Sequence, residues 1–259
     1  MFEIWQNVTL GTAFVGGTIL VSLVTYFLAR RLLAGSEVER HRELASSIVV
    51  RLGALQGLIL ALVFAQEMAS YQRLEGVLSA EANAVADIYN DAIRYDSAEA
   101  EPVKAAMLHY VDAVVTREWP ENGPGGQLSA EGWVAWDGAY RRLLDLVPTT
   151  PRQQALHDNM LNRIHDISRS RNQRDRSWSL PTFALFWFAA ISGVVLISAG
   201  YYIFPPERQN IVLMTIFATY TGIVMFMIFA FANPYNPPAA IQPEPLKALL
   251  ETFRSGGGS

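Results

Sequence analysis

The distribution of apolar and polar positions along the chain divides it into membrane-length stretches at the two ends and a charged middle. Val8–Ala29 carries no charge and is closed by Arg30 and Arg31. Ser177–Pro206 and Gln209–Asn233 are likewise uncharged. A bilayer core about 30 Å thick needs roughly 20 predominantly apolar residues in a helix, so each of the three predicts a transmembrane helix. The first does not read as a signal peptide, because its apolar stretch is too long and Glu3 precedes it with no basic residue.

A fourth stretch is shorter. Leu52–Ala65 is free of charge, and extending it back to Ser47 gives a spanning length but takes in Arg51, while Gln66 and Glu67 follow. Arg51 and Glu67 lie 16 residues apart, or ~24 Å along a helix, so each can reach one interface. The pattern predicts a second membrane helix surrounded by protein rather than by lipid. From Ile48 to Ile93 there is no proline. A single helix over that range would be ~69 Å long, more than twice the bilayer core, and would project well beyond it.

The stretch between the second and third apolar segments reads as a helical bundle. Ser97 is placed to cap a helix with Glu99, Glu101 and Pro102 in its first turn, whose apolar face is Val103, Met107, Tyr110, Val111 and Val114 and which stops near Trp119-Pro120. Asn122–Gly126 reads as a turn or loop. Ser129 caps a next helix through Val134, Tyr140 and Leu144, and Thr150-Pro151 with Gln153 opens a last one as a capping box, running through Met160 and Ile164 towards Trp178. No strand pattern competes. Beyond the last span, the prolines from Asn233 to Pro245 predict an extended segment, and Leu246–Phe253 a short amphipathic helix that could dock on the bundle.

The expected fold is therefore all-α: an integral membrane protein of four transmembrane helices with an extramembrane helical bundle inserted between helices two and three. The boundaries are 8–70 for the first transmembrane hairpin, 71–178 for the bundle, 179–233 for the second hairpin and 234–254 for the extended segment and C-terminal helix. Residues 255–259 read as a linker scar. Orientation is contested: Arg30, Arg31, Arg40 and Arg42 favour an outside N-terminus, whereas Arg169, Arg171, Arg174 and Arg176 favour a cytoplasmic bundle. The latter four also read as an anchor to anionic headgroups.

Composition removes several classes of function. Cysteine is absent, which excludes disulfides and thiol chemistry. A net charge of −4 with no basic cluster among stacking aromatics gives no sign of nucleic-acid binding. No HExxH, GxSxG, Walker loop or dinucleotide fingerprint occurs, so nothing argues for an enzyme or a cofactor. His157 and His165 stand eight apart on one helix, a poor spacing for a shared metal, and Glu75, Glu81, Asp87 and Asp91 have no EF-hand spacing.

The second helix is the most informative segment. Gly53, Gly57, Ala61 and Ala65 recur every four residues, a small-residue strip for close helix packing, either within one subunit or in assembly around an axis. Beside it lie Gln56, Leu60, Val63 and the aromatic Phe64, with Glu67 beyond. Rings of Gln56, Leu60, Val63 and Phe64 from several subunits would line a pore, with Arg51 and Glu67 at its mouths. Otherwise Gln56 bonds a neighbouring helix and Glu67 marks the water interface. An arginine ring attracts anions and a glutamate ring cations, so these two give opposite guidance on the permeant ion.

The run Leu52-Gly-Ala-Leu-Gln-Gly57, with Tyr71-Gln-Arg73 and Ala80-Glu-Ala-Asn-Ala84, resembles the bacterial bestrophin-like domain family. Tyr110, Glu118-Trp-Pro120 and Asn233-Pro-Tyr235 are similar to that family's pattern too. The resemblance implies kinship to bestrophins, homopentameric anion channels in which the second membrane helix lines the pore neck and continues into a cytosolic helical domain. The bestrophin neck carries an apolar triad with phenylalanines, whereas only Phe64 is aromatic here, and the acidic calcium clasp has no counterpart. The expected protein is a homo-oligomer, a pentamer by this resemblance, in the cell inner membrane with its bundle cytoplasmic. Its partners would be the lipid bilayer, further copies of itself and a permeant inorganic ion such as chloride. The competing expectation is a non-conducting membrane scaffold or sensor whose helical domain binds a partner protein.

Overall fold

The computed structural model describes residues 2–33, 42–119, 128–176 and 182–255. Helices run over Phe2–Leu33 (α1), Arg42–Arg94 (α2), Glu101–Ala113 (α3), Ala130–Leu144 (α4), Pro151–Arg176 (α5), Thr182–Gly200 (α6), Arg208–Ala232 (α7) and Glu244–Arg254 (α8). Among the described residues there is no strand. Four helices are long and apolar enough to cross a membrane: Asn7–Leu33, Glu43–Arg94, Leu185–Ile203 and Arg208–Ala232. The chain forms two compact units, one of Met1–Tyr71 with Pro181–Ala240 and one of Gln72–Leu180 with Ile241–Ser259. The expected loop Asn122–Gly126, and the continuation of α5 towards Trp178, lie outside the described residues.

In the first unit, α1 packs along α7 and α6. Gly222 allows the closest approach, since a Cβ there would stand 2.9 Å from Val15 Cα and 3.2 Å from Thr18 Oγ1. Phe14 fills the space beside this contact, its ring 5.1 Å from Phe229 and 5.8 Å from both Trp187 and Phe226. The turn between α6 and α7 is tied to α1 by polar groups, because few carbonyls there can be satisfied within a helix. Tyr26 Oη donates to the Phe204 carbonyl at 2.9 Å, and Arg30 Nη1 donates to Tyr202 and Phe204 carbonyls at 3.1 and 2.8 Å. Large apolar side chains elsewhere, including Leu185, Phe188, Leu213 and Tyr220, stay exposed. That suits a surrounding hydrocarbon solvent.

In the second unit, α2 buries Leu78, Val85 and Ile88, α3 Val103, Met107 and Val111, and α5 Met160, Ile164 and Ile167. Ser97 and Ser129 accept from Glu99 N and Gly132 N, both at 3.2 Å, as caps of the helical turns that follow them. At the start of α5, Thr150 Oγ1 accepts from Gln153 N at 3.2 Å, but the Gln153 side chain accepts from Thr149 rather than from Thr150. The reciprocal half of the expected capping box is thus displaced by one residue. The chain after Asn233 ends in α8, whose Leu246, Leu250 and Phe253 are buried in this unit, with Phe253 stacked 3.8 Å from Tyr89.

Candidate functional site on the second helix

Within the first unit, α2 carries two stripes on opposite faces of the helix. Steps of three and four residues keep side chains on one face of a helix, and half a turn separates the rows. One row is Val49, Gln56, Leu60 and Val63, and the other is Arg51, Leu55, Leu58, Leu62, Ala65 and Ala69. Val49, Gln56 and Leu60 are buried, whereas every member of the second row is exposed.

The buried row packs against the protomer's own helices. Leu60 joins Ala190, Val194, Met225 and Ile228 in one apolar cluster, with Val63 and Phe64 half-buried against it. Gln56, 4% exposed, donates from Nε2 to the Ala190 carbonyl at 3.0 Å. Gly193 makes room for it, because a Cβ there would overlap the Gln56 carboxamide. Of the residues expected to line a pore, Gln56 and Leu60 are thus occupied by packing within the protomer, while Val63 and Phe64 keep part of their surface. Gln56 and Leu60 meet α6 and α7 through a hydrogen bond and apolar contact within the protomer. Glu67 continues the same row and is half-buried, so it is not aligned with Arg51.

The small-residue strip is the converse case. Gly57, Ala61 and Ala65 are exposed, Gly53 is half-buried, and a Cβ at Gly53 or Gly57 would meet nothing within 4 Å. Packing within one protomer therefore does not account for the glycines. Replacing Gly193 with alanine should lower thermal stability in detergent by about 1–3 kcal/mol, the usual cost of overpacking. A second change, Gln56→Ala, should restore much of the loss. Equal melting of Gly193→Ala and the parent would show that this contact is not close-packed.

Among the described residues, a set of buried charged groups lies in the second unit. Glu81 of α2, Glu118, Arg171 and Arg174 are all fully buried, as is Tyr110 of α3. Arg171 grips Glu118 through two bonds, Nη2 to Oε2 at 2.7 Å and Nη1 to Oε1 at 3.3 Å. Arg174 bridges both acids, with Nη2 3.1 Å from Glu81 Oε1 and 3.0 Å from Glu118 Oε1, and Nε 2.9 Å from Glu81 Oε2. Tyr110 donates to Glu81 Oε1 at 2.6 Å. Burial and the Glu81 carboxylate push the Tyr110 hydroxyl well above its ordinary value, so it remains a neutral donor. Burial works against the Arg171 cation, but its value is raised, with the Glu118 carboxylate beside it favouring the charged form.

Local structure brings these groups together. Val114–Glu118 forms a π-helical turn, and the extra residue in that turn carries Glu118 inwards. Gly132 leaves the space above the pair, since a Cβ there would come 2.6 Å from Arg171 Nη2. Trp133 lies 4.7 Å from the Arg171 guanidinium and Trp119 5.6 Å from that of Arg174.

Arg171 and Arg174 are accordingly not headgroup anchors, which corrects the reading of the 169–176 cluster. Arg169 of that cluster is exposed and pairs with Asp166 at 2.8 Å. The signal was present in the sequence: Met160, Ile164, Ile167, Arg171 and Arg174 continue one row in steps of four and three, all of it buried. The other sequence candidates are held apart. Asp87 pairs with Arg163 at 3.1 Å and Asp91 accepts from Asn159 at 2.6 Å, so they do not converge with Glu75 and Glu81. His157 Nε2 stands 2.9 Å from the Leu143 carbonyl, and the His165 ring lies against Tyr140.

Helical fold, four spanning-length helices and a two-faced second helix define a multi-pass α-helical membrane protein. The family model of the Bestrophin-like domain matches residues 16–246. The chain belongs to the bestrophin-like domain family, and that membership suggests a membrane protein of the channel type. No curated protein and no solved structure matches the chain.

Proposed function

We propose that the protein is a subunit of an oligomeric, anion-conducting channel in which the exposed row of α2 lines the path. Arg51 would stand at one mouth, and Leu55, Leu58 and Leu62 would form an apolar constriction, with Ala65 and Ala69 widening it beyond. The observation that carries this reading is the exposure of Arg51 together with open glycines on a spanning helix. An arginine facing acyl chains is costly, and intramembrane charges almost always face a bundle interior or an aqueous cavity. Further copies of the chain supply such an interior, and the strip Gly53, Gly57, Ala61 and Ala65 lets their backbones approach. Family membership supports the channel class.

The same geometry supports a choice between Arg51 and Glu67. Only Arg51 belongs to the exposed row, so the charge offered to the path is positive, which favours anions. The second unit would lie outside the bilayer as an inserted helical domain, on the cytoplasmic side of the cell inner membrane. Five copies, as in bestrophins, would satisfy this arrangement.

Reconstitution in planar bilayers tests it. The variant Leu55→Ala/Leu58→Ala/Leu62→Ala should raise single-channel conductance, while Leu60→Ala should lower stability and leave conductance unchanged. Equal conductance in the triple variant, or a monomer in detergent, would overturn the assignment in favour of a scaffold that binds a partner protein.

A further inference from the structure

We infer that the buried set of Glu81, Glu118, Arg171 and Arg174 is a register lock that admits one seating of α5 on α2. The two helices run antiparallel in the second unit. Asp91 meets Asn159, Asp87 meets Arg163, and Glu81 meets Arg174, so rising numbers on α2 face falling numbers on α5. Apart from the lock and the Asp91–Asn159 and Asp87–Arg163 pairs beside it, the rows they bury are apolar, with Leu78, Val85 and Ile88 on one helix and Met160, Ile164 and Ile167 on the other.

Apolar contact is non-directional, so a slide by one helical turn exchanges one apolar neighbour for another at little cost. The charged set does not tolerate that slide. In the observed register two carboxylates meet two guanidinium groups, and the buried charge is balanced. A shift of one turn in either direction brings one arginine to the place of the other and carries the second away. Two buried carboxylates would then share a single cation. An uncompensated buried charge is strongly unfavourable, whereas replacing a complete buried set by apolar groups is often neutral or stabilising. The set therefore adds discrimination between registers more than stability.

Three surrounding features fit this role. Arg174 contacts both carboxylates, so it links α2 to the π-helical turn and cannot follow one partner alone. The π-helical turn places Glu118 between the two arginines. Gly132 closes the site from α4 with no side chain to cushion a moved guanidinium.

The absence of cysteine permits a direct test on the full chain in detergent. The pair Asp87→Cys/Arg163→Cys reports the observed register, and Asn83→Cys/Arg163→Cys reports a register one turn away. In the parent background only the first pair should close a disulfide under mild oxidation. In the background Glu81→Met/Glu118→Met/Arg171→Met/Arg174→Met the chain should keep its helix content and cooperative melting, and the second pair should close as readily as the first. If that fourfold variant still closes only the first pair, the remaining contacts, apolar packing and Asp91–Asn159 among them, set the register and the inference fails. If it does not fold, the set supplies stability rather than discrimination, and the inference fails equally.

Discussion

Replacing Arg174 alone with methionine should destabilise the second unit by about 3–5 kcal/mol, the cost of leaving a buried charge without its partner. Arg174 is the residue through which Glu81 and Glu118 are both neutralised, and all three are fully buried. Methionine fills much of the volume, so the loss would arise from charge rather than from a cavity. Arg171 would remain on Glu118, leaving Glu81 with only the Tyr110 hydroxyl as a neutral donor. For a unit of roughly 100 residues, a loss of this size lowers the melting temperature by more than ~10 °C. The comparison is Arg169→Met, which removes an exposed pair with Asp166 and should move stability by no more than ~1 kcal/mol. Calorimetry or circular dichroism on the purified protein separates the two. Similar melting of both variants would show that the buried set is not held as tightly as its geometry implies.

Arg51→Glu should reverse the ion preference of the reconstituted protein. A unit charge about 10 Å from a permeating ion, at an effective dielectric of 20, interacts with it by ~1.7 kcal/mol, a factor of more than ten in occupancy. Reversing the sign of each copy's charge repels the ion previously attracted and attracts its opposite. The reversal potential in a salt gradient should therefore change sign between the parent and Arg51→Glu, and Arg51→Gln should fall between them. Arg51 is exposed and bears on no part of the protomer's packed core, so folding should be unaffected. Glu67→Gln, on the half-buried row, should leave the reversal potential where it is. Unchanged selectivity in Arg51→Glu would remove Arg51 from the path.

Periodicity was a sound guide to elements, and the two rows of α2 show where it stops. Gln56, Leu60 and Val63 form a row in steps of four and three, and so do Arg51, Leu55, Leu58 and Leu62. In a membrane helix both rows are apolar enough that hydropathy does not rank them. The presence of Gln56 drew attention to the row that packs inside the protomer. A glutamine at mid-span needs a hydrogen-bond partner, and a pore and a neighbouring carbonyl satisfy that need equally well on paper. Ala190 and the space at Gly193 decided for the carbonyl. In the second unit the reverse held, since the apolar row of α5 ran straight into Arg171 and Arg174, yet arginine before a membrane segment reads first as an interfacial residue.

The amino-acid order by itself determined the helical class, the four spanning lengths, the caps at Ser97 and Ser129 and the family, because these depend on local hydropathy, spacing and short-range hydrogen bonding. Which face of α2 is spent inside the protomer, and that Glu81, Glu118, Arg171 and Arg174 meet in one dry site, only the tertiary structure decided. Those groups are separated by up to 93 residues along the chain. Their pairing follows from the antiparallel seating of whole helices, which no local pattern encodes.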